Sequence, residues 1–296
     1  MKFIIYNPAS KLFNFFEEAI LYELYLKNIE CIKYSNVILL NENINPLKDI
    51  FLIIVNPHYI YDYNEIKKTI IDISKTFKFK IFYLTEPINF IIEKRVFTDL
   101  IKMIKPYALW TYTVNNFKKL NIYQPIYKVF PHYNETLNFA NIDINLLKLR
   151  NTDKIIFFGN INIVRYEICN EFNKYLINIT DIWSKTEWAN ILNKHLFYLN
   201  IHRRDGCESF ETFRIIPILA NGGVVFSESV NKIEEEYYNN FNIIFYKKSE
   251  LYNEFIKYIK TIDYNEIYNR AKLFREYFLN NNCELDNFLE YHKNLQ

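Results

Sequence analysis

Residues 196–228, LFYLNIHRRDGCESFETFRIIPILANGGVVFSE, decide the fold of this chain. An apolar run over residues 196–201 ends at a polar cluster, and a helical pattern begins at about Ser209. The Asn-Gly-Gly triplet at residues 221–223 ends that helix before a second apolar run at residues 224–226. Apolar runs joined by a helix are typical of parallel strands that are buried on both faces. The stretch therefore predicts a strand, a loop, a helix and a second strand.

Polar residues leave this unit at the ends of both strands. In open α/β sheets, ligands bind at the carboxyl ends of the strands. His202 follows the first strand, so it is a candidate catalytic residue, although a lone histidine at a strand end can also serve packing. Ser227 and Glu228 end the second strand and are candidate ligand-binding residues. The alternative for Glu228 is a capping role for the helix predicted over residues 232–237.

Length and composition indicate a folded α/β protein with two lobes. The chain has 296 residues, of which 50% are hydrophobic and 18% aromatic, and this length suits two domains of ordinary size. The 36 basic and 34 acidic residues give a net charge of +2, a field too small to indicate nucleic acid as a partner.

The cysteines and the apolar runs indicate the compartment. Four cysteines without metal-ligand spacing favour a reducing compartment over a disulfide framework. Since no apolar run reaches the length of a membrane-spanning helix, we expect a soluble, cytoplasmic protein.

The strand and helix patterns start twice along the chain. In residues 1–145, strands are predicted at 2–6, 30–34, 49–55, 80–84, 108–112 and 126–130. The polar residues 132–145 are predicted to link the lobes. In residues 146–262, strands are predicted at 154–158, 176–179, 196–201, 224–226 and 242–246. Residues 263–296 have a helical pattern and are predicted to form a tail that crosses back towards the first lobe.

The loop at Gly159 and Asn160 has the position of a phosphate-binding turn, between the first strand of the second lobe and a helix. It lacks the further glycines of a dinucleotide-binding fingerprint, which argues against NAD or FAD. Arg165, one turn into the helix, can reach a phosphate with its planar guanidinium group. The alternative is a solvated helix arginine close to Glu167 or Glu171.

The helix of the focal stretch presents a second set of candidates. Ser209 is a plausible N-cap, and Glu211 and Arg214 share one helix face. Their i, i+3 spacing suits a surface ion pair worth roughly 0.2–0.5 kcal/mol. The functional interpretation assigns ribose or sugar hydroxyls to Glu211 and a diphosphate to Arg214. Gly222 ends the helix and also lets a ligand approach the backbone.

In the first lobe, His58 and Glu86 follow two strongly apolar strands. Either can act as a general base toward an acceptor hydroxyl, but a proline is adjacent to each, so a structural turn is an equal alternative. The sequence has no Gly-x-Ser-x-Gly, P-loop, His-Glu-x-x-His or Cys-x-x-Cys motif, which argues against a serine hydrolase, a P-loop nucleotide hydrolase and a zinc enzyme.

These stretches, in this order, resemble a divergent group of GT-B type glycosyltransferases found in large DNA viruses and bacteria. The matching stretches are FFGNIN at 157–162 with Arg165, LNIH at 199–202, ETFRIIPILANG at 211–222, VVFSE at 224–228, YLTE at 83–86 and LWTYTVNN at 109–116. The resemblance covers nearly the whole chain.

The resemblance implies two Rossmann-like lobes and a metal-independent transfer of a sugar from a nucleoside-diphosphate sugar to a glycan, protein or small-molecule hydroxyl. The nucleotide sugar is a co-substrate, and no cofactor or metal is expected; the chain has no Asp-x-Asp triplet to hold a cation. The second lobe is expected to bind the donor through Gly159, Asn160, Arg165, Ser209, Glu211, Arg214, Gly222, Ser227 and Glu228. The candidate catalytic residues are His58, Glu86 and His202. A viral origin would place the protein in the host cytoplasm or the virion.

One departure from the group keeps alternatives open. Many retaining members have two glutamates with seven residues between them, but that spacing from Glu208 or Glu211 leads to Ile216 or Leu219. The stereochemical outcome is therefore open. The alternatives are a catalytically inactive GT-B-fold binding or scaffold protein, and another nucleotide-sugar enzyme such as an epimerase.

Overall fold

A computed structural model of the chain describes residues 1–8, 10–34, 44–55, 64–85, 88, 91–113, 122–129, 133–180, 182, 184–207, 210–280 and 284–295. The chain divides into two compact units, Met1–Pro131 with Asn282–Gln296, and His132–Asn281. Each unit contains a parallel sheet with helices. The predicted α/β fold class with two parallel sheets and C-terminal helices is confirmed.

The elements follow each other along the chain in alternating order. The strands are β1 (Lys2–Tyr6), β2 (Glu30–Lys33), β3 (Ile50–Val55), β4 (Phe79–Leu84), β5 (Ala108–Thr111), β6 (Ile126–Lys128), β7 (Asn151–Phe158), β8 (Leu176–Ile179), β9 (His195–Asn200), β10 (Val224–Glu228) and β11 (Ile243–Tyr246). The helices are α1 (Ser10–Leu26), α2 (Asn64–Thr76), α3 (Ile91–Ile104), α4 (Ile144–Lys148), α5 (Ile163–Glu171), α6 (Lys185–Lys194), α7 (Thr212–Ala220), α8 (Lys232–Tyr238), α9 (Leu251–Tyr258), α10 (Tyr264–Asn280) and α11 (Leu285–Lys293). Short 3₁₀ turns lie at Glu135–Leu137 and Lys248–Glu250.

The first unit is built on a six-stranded sheet in the order β2-β1-β3-β4-β5-β6, with parallel pairing of neighbouring strands. Its central strand β3, IFLIIV, is fully buried from Ile50 to Ile54. A parallel strand covered on both faces needs a continuous apolar run, which is why this strand was readable from the sequence. On α2, Ile70 and Ile73 lie one helical turn apart and are both buried.

The helix α11 completes the core of the first unit. Its Phe288 is fully buried and its ring lies 6.4 Å from the Phe3 ring and 5.1 Å from the Trp110 ring. Glu284, just before the helix, accepts a hydrogen bond from the Lys128 N–H at 2.6 Å. The predicted tail is thus divided, because α10 belongs to the second unit and α11 to the first.

The second unit contains a five-stranded parallel sheet in the order β11-β10-β9-β7-β8. The predicted strand–loop–helix–strand arrangement of residues 196–228 is confirmed by β9, α7 and β10. The helix α7 begins at Thr212 with Glu211 as its N-cap residue, later than the predicted start near Ser209. Ser209 lies outside the described residues.

Residues 132–145, predicted as a linker, belong to the second unit. Asn221, at the end of α7, holds part of this segment. Its side-chain oxygen accepts from the N–H of Phe139 at 2.8 Å and of Ala140 at 2.7 Å, and its amide donates to the Leu137 carbonyl at 2.8 Å. These contacts are buried, so the segment packs as part of the second unit.

The model also bears on membrane association. Within the described parts of the chain, every helix is too short or too polar to span a bilayer.

Candidate functional site

The loop after β7 and the helix α7 bring two arginines together at the carboxyl edge of the second unit's sheet. Gly159 follows β7 and has a φ of +133°, a backbone conformation that side chains disfavour. A Cβ atom at Gly159 would lie 3.4 Å from Arg165 Nη1 and 3.6 Å from Arg214 Nη2. Three residues predicted to bind the donor, Gly159, Arg165 and Arg214, are therefore neighbours.

Arg165 is a buried arginine that fixes the loops of this edge. Its side chain donates from Nε to the Ile201 carbonyl and from Nη1 to the Asn160 carbonyl, both at 3.0 Å. Nη2 lies 3.3 Å from Glu211 Oε1. Only 3% of Arg165 is exposed, so the alternative of a solvated helix arginine is wrong. Burial lowers the pKa of the guanidinium, and the Glu211 carboxylate opposes that shift.

Glu211 lies between the two arginines. Its Oε1 faces Arg165, and its Oε2 lies 2.6 Å from Arg214 Nη1. The predicted i, i+3 pair of Glu211 and Arg214 is present, but Glu211 also contacts a third residue that is distant in sequence. Because both its oxygens face guanidinium groups, Glu211 is placed to position the arginines. Arg214 keeps 26% of its side chain exposed and can contact a ligand.

His202 and Glu228 contact each other at the ends of β9 and β10. Glu228 Oε2 accepts from the His202 N–H at 3.0 Å and lies 3.7 Å from His202 Nδ1. The alternative capping role of Glu228 is wrong, because Asn231 is the N-cap of α8 and accepts from the Glu234 N–H at 3.1 Å. Burial lowers the pKa of His202 from its ordinary value of 6.5.

Two predicted donor-binding residues do not join this group. Gly222 precedes β10, and a Cβ atom there would lie 3.0 Å from the Leu147 side chain, so Gly222 is at the amino edge of the sheet. Ser227 is fully buried. Its hydroxyl accepts from Asn200 Nδ2 and donates to the Glu228 carbonyl, both at 2.9 Å. We therefore leave Gly222 and Ser227 out of the proposed ligand contacts.

Three further candidates lie outside the described residues. These are His58, Glu86 and Ser209, whose roles stay predictions from the sequence. Asn160 is described and exposed, and its backbone carbonyl is the acceptor for Arg165.

Sequence reasoning missed two residues that shape this edge. Asn162 is the N-cap of α5 and donates from Nδ2 to the Arg203 carbonyl at 2.8 Å, and its place before a helical pattern was a readable capping signal. Glu234 is buried and accepts from the Phe210 N–H at 2.5 Å, which fixes the chain ahead of α7. Glu234 lies on the following helix, so no local pattern indicates this contact.

The arrangement of acidic and metal-ligating side chains was also searched. Among the described residues, no group of three or more histidines, cysteines, aspartates or glutamates is placed to hold a metal ion.

The conformation of Gly159 leads to a first prediction. The substitution Gly159→Ala is expected to lower the free energy of unfolding by about 1–3 kcal/mol, because a side chain disfavours its φ of +133°. Chemical denaturation measures this loss. Gly206→Ala is the matched control, since Gly206 also has a positive φ of +73° but no described atom within 4 Å of the added Cβ. An equal loss in both variants would contradict a specific requirement at Gly159.

Comparison with known proteins gives likeness to solved structures alone. No protein-family model matches the chain, and no curated protein matches it. A trehalose-6-phosphate structure from E. coli bound with UDP-2-fluoro glucose is 11% identical, with a TM-score of 0.47, over 92% of this chain and 81% of that chain. An α,α-trehalose 6-phosphate synthase from Burkholderia multivorans is 8% identical, with a TM-score of 0.47, over 97% of this chain and 81% of that chain. These values are too low to transfer a residue role or an activity.

The fold class rests on the chain's own strand order. Its two units, each with a parallel sheet, fit the GT-B type fold expected from the sequence resemblance.

Proposed function

We propose that the protein is a glycosyltransferase that moves a sugar from a nucleoside-diphosphate sugar to a hydroxyl group. The observation that carries this proposal is the grouping of Gly159, Arg165 and Arg214 at the carboxyl edge of the second unit's sheet. The helices α5 and α7 begin at the same edge.

The chemistry of this group suits a diphosphate. A glycine lets a ligand approach the backbone closely. The first turn of a helix favours an anion through its free N–H groups and its dipole. A guanidinium group matches two phosphate oxygens with two parallel hydrogen bonds. Arg214 is the partly exposed group that makes this contact in our proposal, and Arg165 supplies a fixed buried charge behind it.

The same groups would assist the transfer itself. When the bond between the sugar and the diphosphate breaks, the leaving oxygen takes the electron pair and its negative charge grows. Arg214 and the start of α7 would stabilise that charge more strongly in the transition state than in the bound donor. Because arginines supply the positive charge, we propose a metal-independent reaction. The acceptor is a hydroxyl of a glycan, a protein or a small molecule, and His58 or Glu86 is the proposed base if the reaction inverts.

A panel of nucleotide sugars tests this function. We expect at least one of the UDP, GDP, ADP and dTDP sugars to raise the melting temperature, with about 2.7 kcal/mol of stabilisation at a concentration one hundred times its Kd. Transfer of a labelled sugar to an acceptor should follow and should be unchanged by EDTA.

The other outcomes of the panel separate the alternatives. Stabilisation by none of the sugars would overturn the proposal. Binding without transfer would identify a binding or scaffold protein, and isomerisation of the donor without an acceptor would identify an epimerase.

A further inference from the structure

His202 has a buried ring nitrogen without a partner. The residue is 1% exposed, and its Nε2 forms no hydrogen bond with any residue that the structure describes. A buried polar atom left unpaired costs about 1–3 kcal/mol. Such an atom in a native protein calls for an explanation, and a bound ligand is one of them.

The peptide unit before the ring is held firmly from both ends. Its carbonyl, that of Ile201, accepts from Arg165 Nε at 3.0 Å. Its N–H, that of His202, donates to Glu228 Oε2 at 3.0 Å. The imidazole is thus mounted on fixed backbone between an arginine of the proposed diphosphate site and a carboxylate beside its Nδ1.

Charges of both signs from three elements act on this imidazole. Burial has the largest effect and lowers the pKa of His202 below 6.5. Glu228 on β10 and Glu211 before α7 oppose the shift, while Arg165 on α5 and Arg214 on α7 add to it. The ring is therefore neutral at pH 7 in the ligand-free protein.

A bound diphosphate changes that balance, because it brings negative charge next to both arginines. We propose that His202 takes up a proton when the diphosphate of a nucleotide sugar binds beside Gly159, and that Nε2–H then donates a hydrogen bond to the diphosphate. This inference rests on the proposed function. It gives the unpaired Nε2 a partner and adds a third cation to the site only while the donor is bound.

The sign of the pH dependence follows from linkage. The bound state has the higher His202 pKa, so binding takes up a proton at pH values between the pKa values of the free and bound states. Donor affinity increases as the pH falls through this interval and levels off below it. The diphosphate of a nucleotide sugar does not titrate in this range, so the proton is taken up by the protein.

Titration calorimetry measures the proton directly. UDP-glucose is titrated into the full-length protein in two buffers with different ionisation enthalpies, at about pH 6 and about pH 8. If the panel shows tighter binding of another nucleotide sugar, that sugar is used. We expect uptake of up to one proton for each donor bound, and an affinity that rises by at most about tenfold per pH unit as the pH falls.

A second buried histidine on the same strand provides a matched control. The variant His202→Gln is expected to abolish the proton uptake and the pH dependence of binding. His195 lies at the start of β9, is 6% exposed and also has an unpaired ring nitrogen among the described residues. His195→Gln is expected to leave the uptake unchanged.

A third variant tests the inference if His202→Gln does not fold. Glu228→Gln keeps an oxygen for the His202 N–H but removes the negative charge beside Nδ1, so the uptake should move to lower pH. Donor binding by the wild type without proton uptake, or uptake that persists in His202→Gln, would overturn this inference and leave the proposed function standing. Binding of no sugar in the panel would overturn both.

Discussion

Replacing Arg214 by glutamine is expected to weaken binding of the donor sugar by about 10- to 100-fold while the protein stays folded. A hydrogen bond between charged groups contributes about 1.5–3 kcal/mol, and each 1.4 kcal/mol is about a factor of ten in affinity. Arg214 is partly exposed and has one ion pair, with Glu211. An ion pair at a partly exposed site contributes little to stability, about 0–1 kcal/mol. Titration calorimetry and a thermal melt measure the two effects separately.

Two further variants sharpen this experiment. Arg214→Lys keeps the charge but loses the planar fork, so an intermediate affinity is expected. Arg270→Gln removes another helix arginine, which is paired with Glu266 at 2.5 Å on α10, and should leave donor affinity unchanged. Donor affinity in Arg214→Gln equal to that of the wild type would remove Arg214 from the site.

Replacing Asn221 by alanine is expected to lower the free energy of unfolding by about 3 kcal/mol or more. Asn221 is fully buried. Its side chain accepts from the N–H groups of Phe139 and Ala140. It also donates to the carbonyls of Leu137 and Pro217. Each buried group left unpaired costs about 1–3 kcal/mol, so the loss exceeds that of an ordinary surface substitution.

Urea unfolding tests this expectation with a matched asparagine. Asn170 is exposed on α5, and Asn170→Ala should change stability by no more than about 0.5 kcal/mol. Asn221→Asp can accept both N–H groups but cannot donate to the two carbonyls, so it should also be strongly destabilised. A midpoint for Asn221→Ala close to that of the wild type would show that the segment before α4 contributes little to the second unit.

The strands could be predicted from the sequence because parallel strands covered on both faces are written as apolar runs. Residues 2–6 were predicted as a strand, and β1 has these bounds. The prediction for β7 began too late, at residue 154. The strand starts at Asn151, where its exposed end carries polar residues that break the apolar run.

The site was predictable where its contacts are local. The turn at Gly159 and the pairing of Glu211 with Arg214 depend on residues close in sequence. The contact between His202 and Glu228 depends on the pairing of β9 with β10, and the burial of Arg165 depends on the loop after β9. Such contacts leave no local pattern. The misplacement of Gly222 was avoidable, because a residue that precedes a parallel strand lies at its amino end.

The place of α11 has a consequence for how the chain folds as it is synthesised. Phe288 packs with Phe3 and Trp110, yet the whole of His132–Asn281 is translated between them. Domains generally fold as units while they emerge from the ribosome. Here the second unit can fold first, and the nascent first unit keeps an apolar surface open until residues 285–293 have emerged.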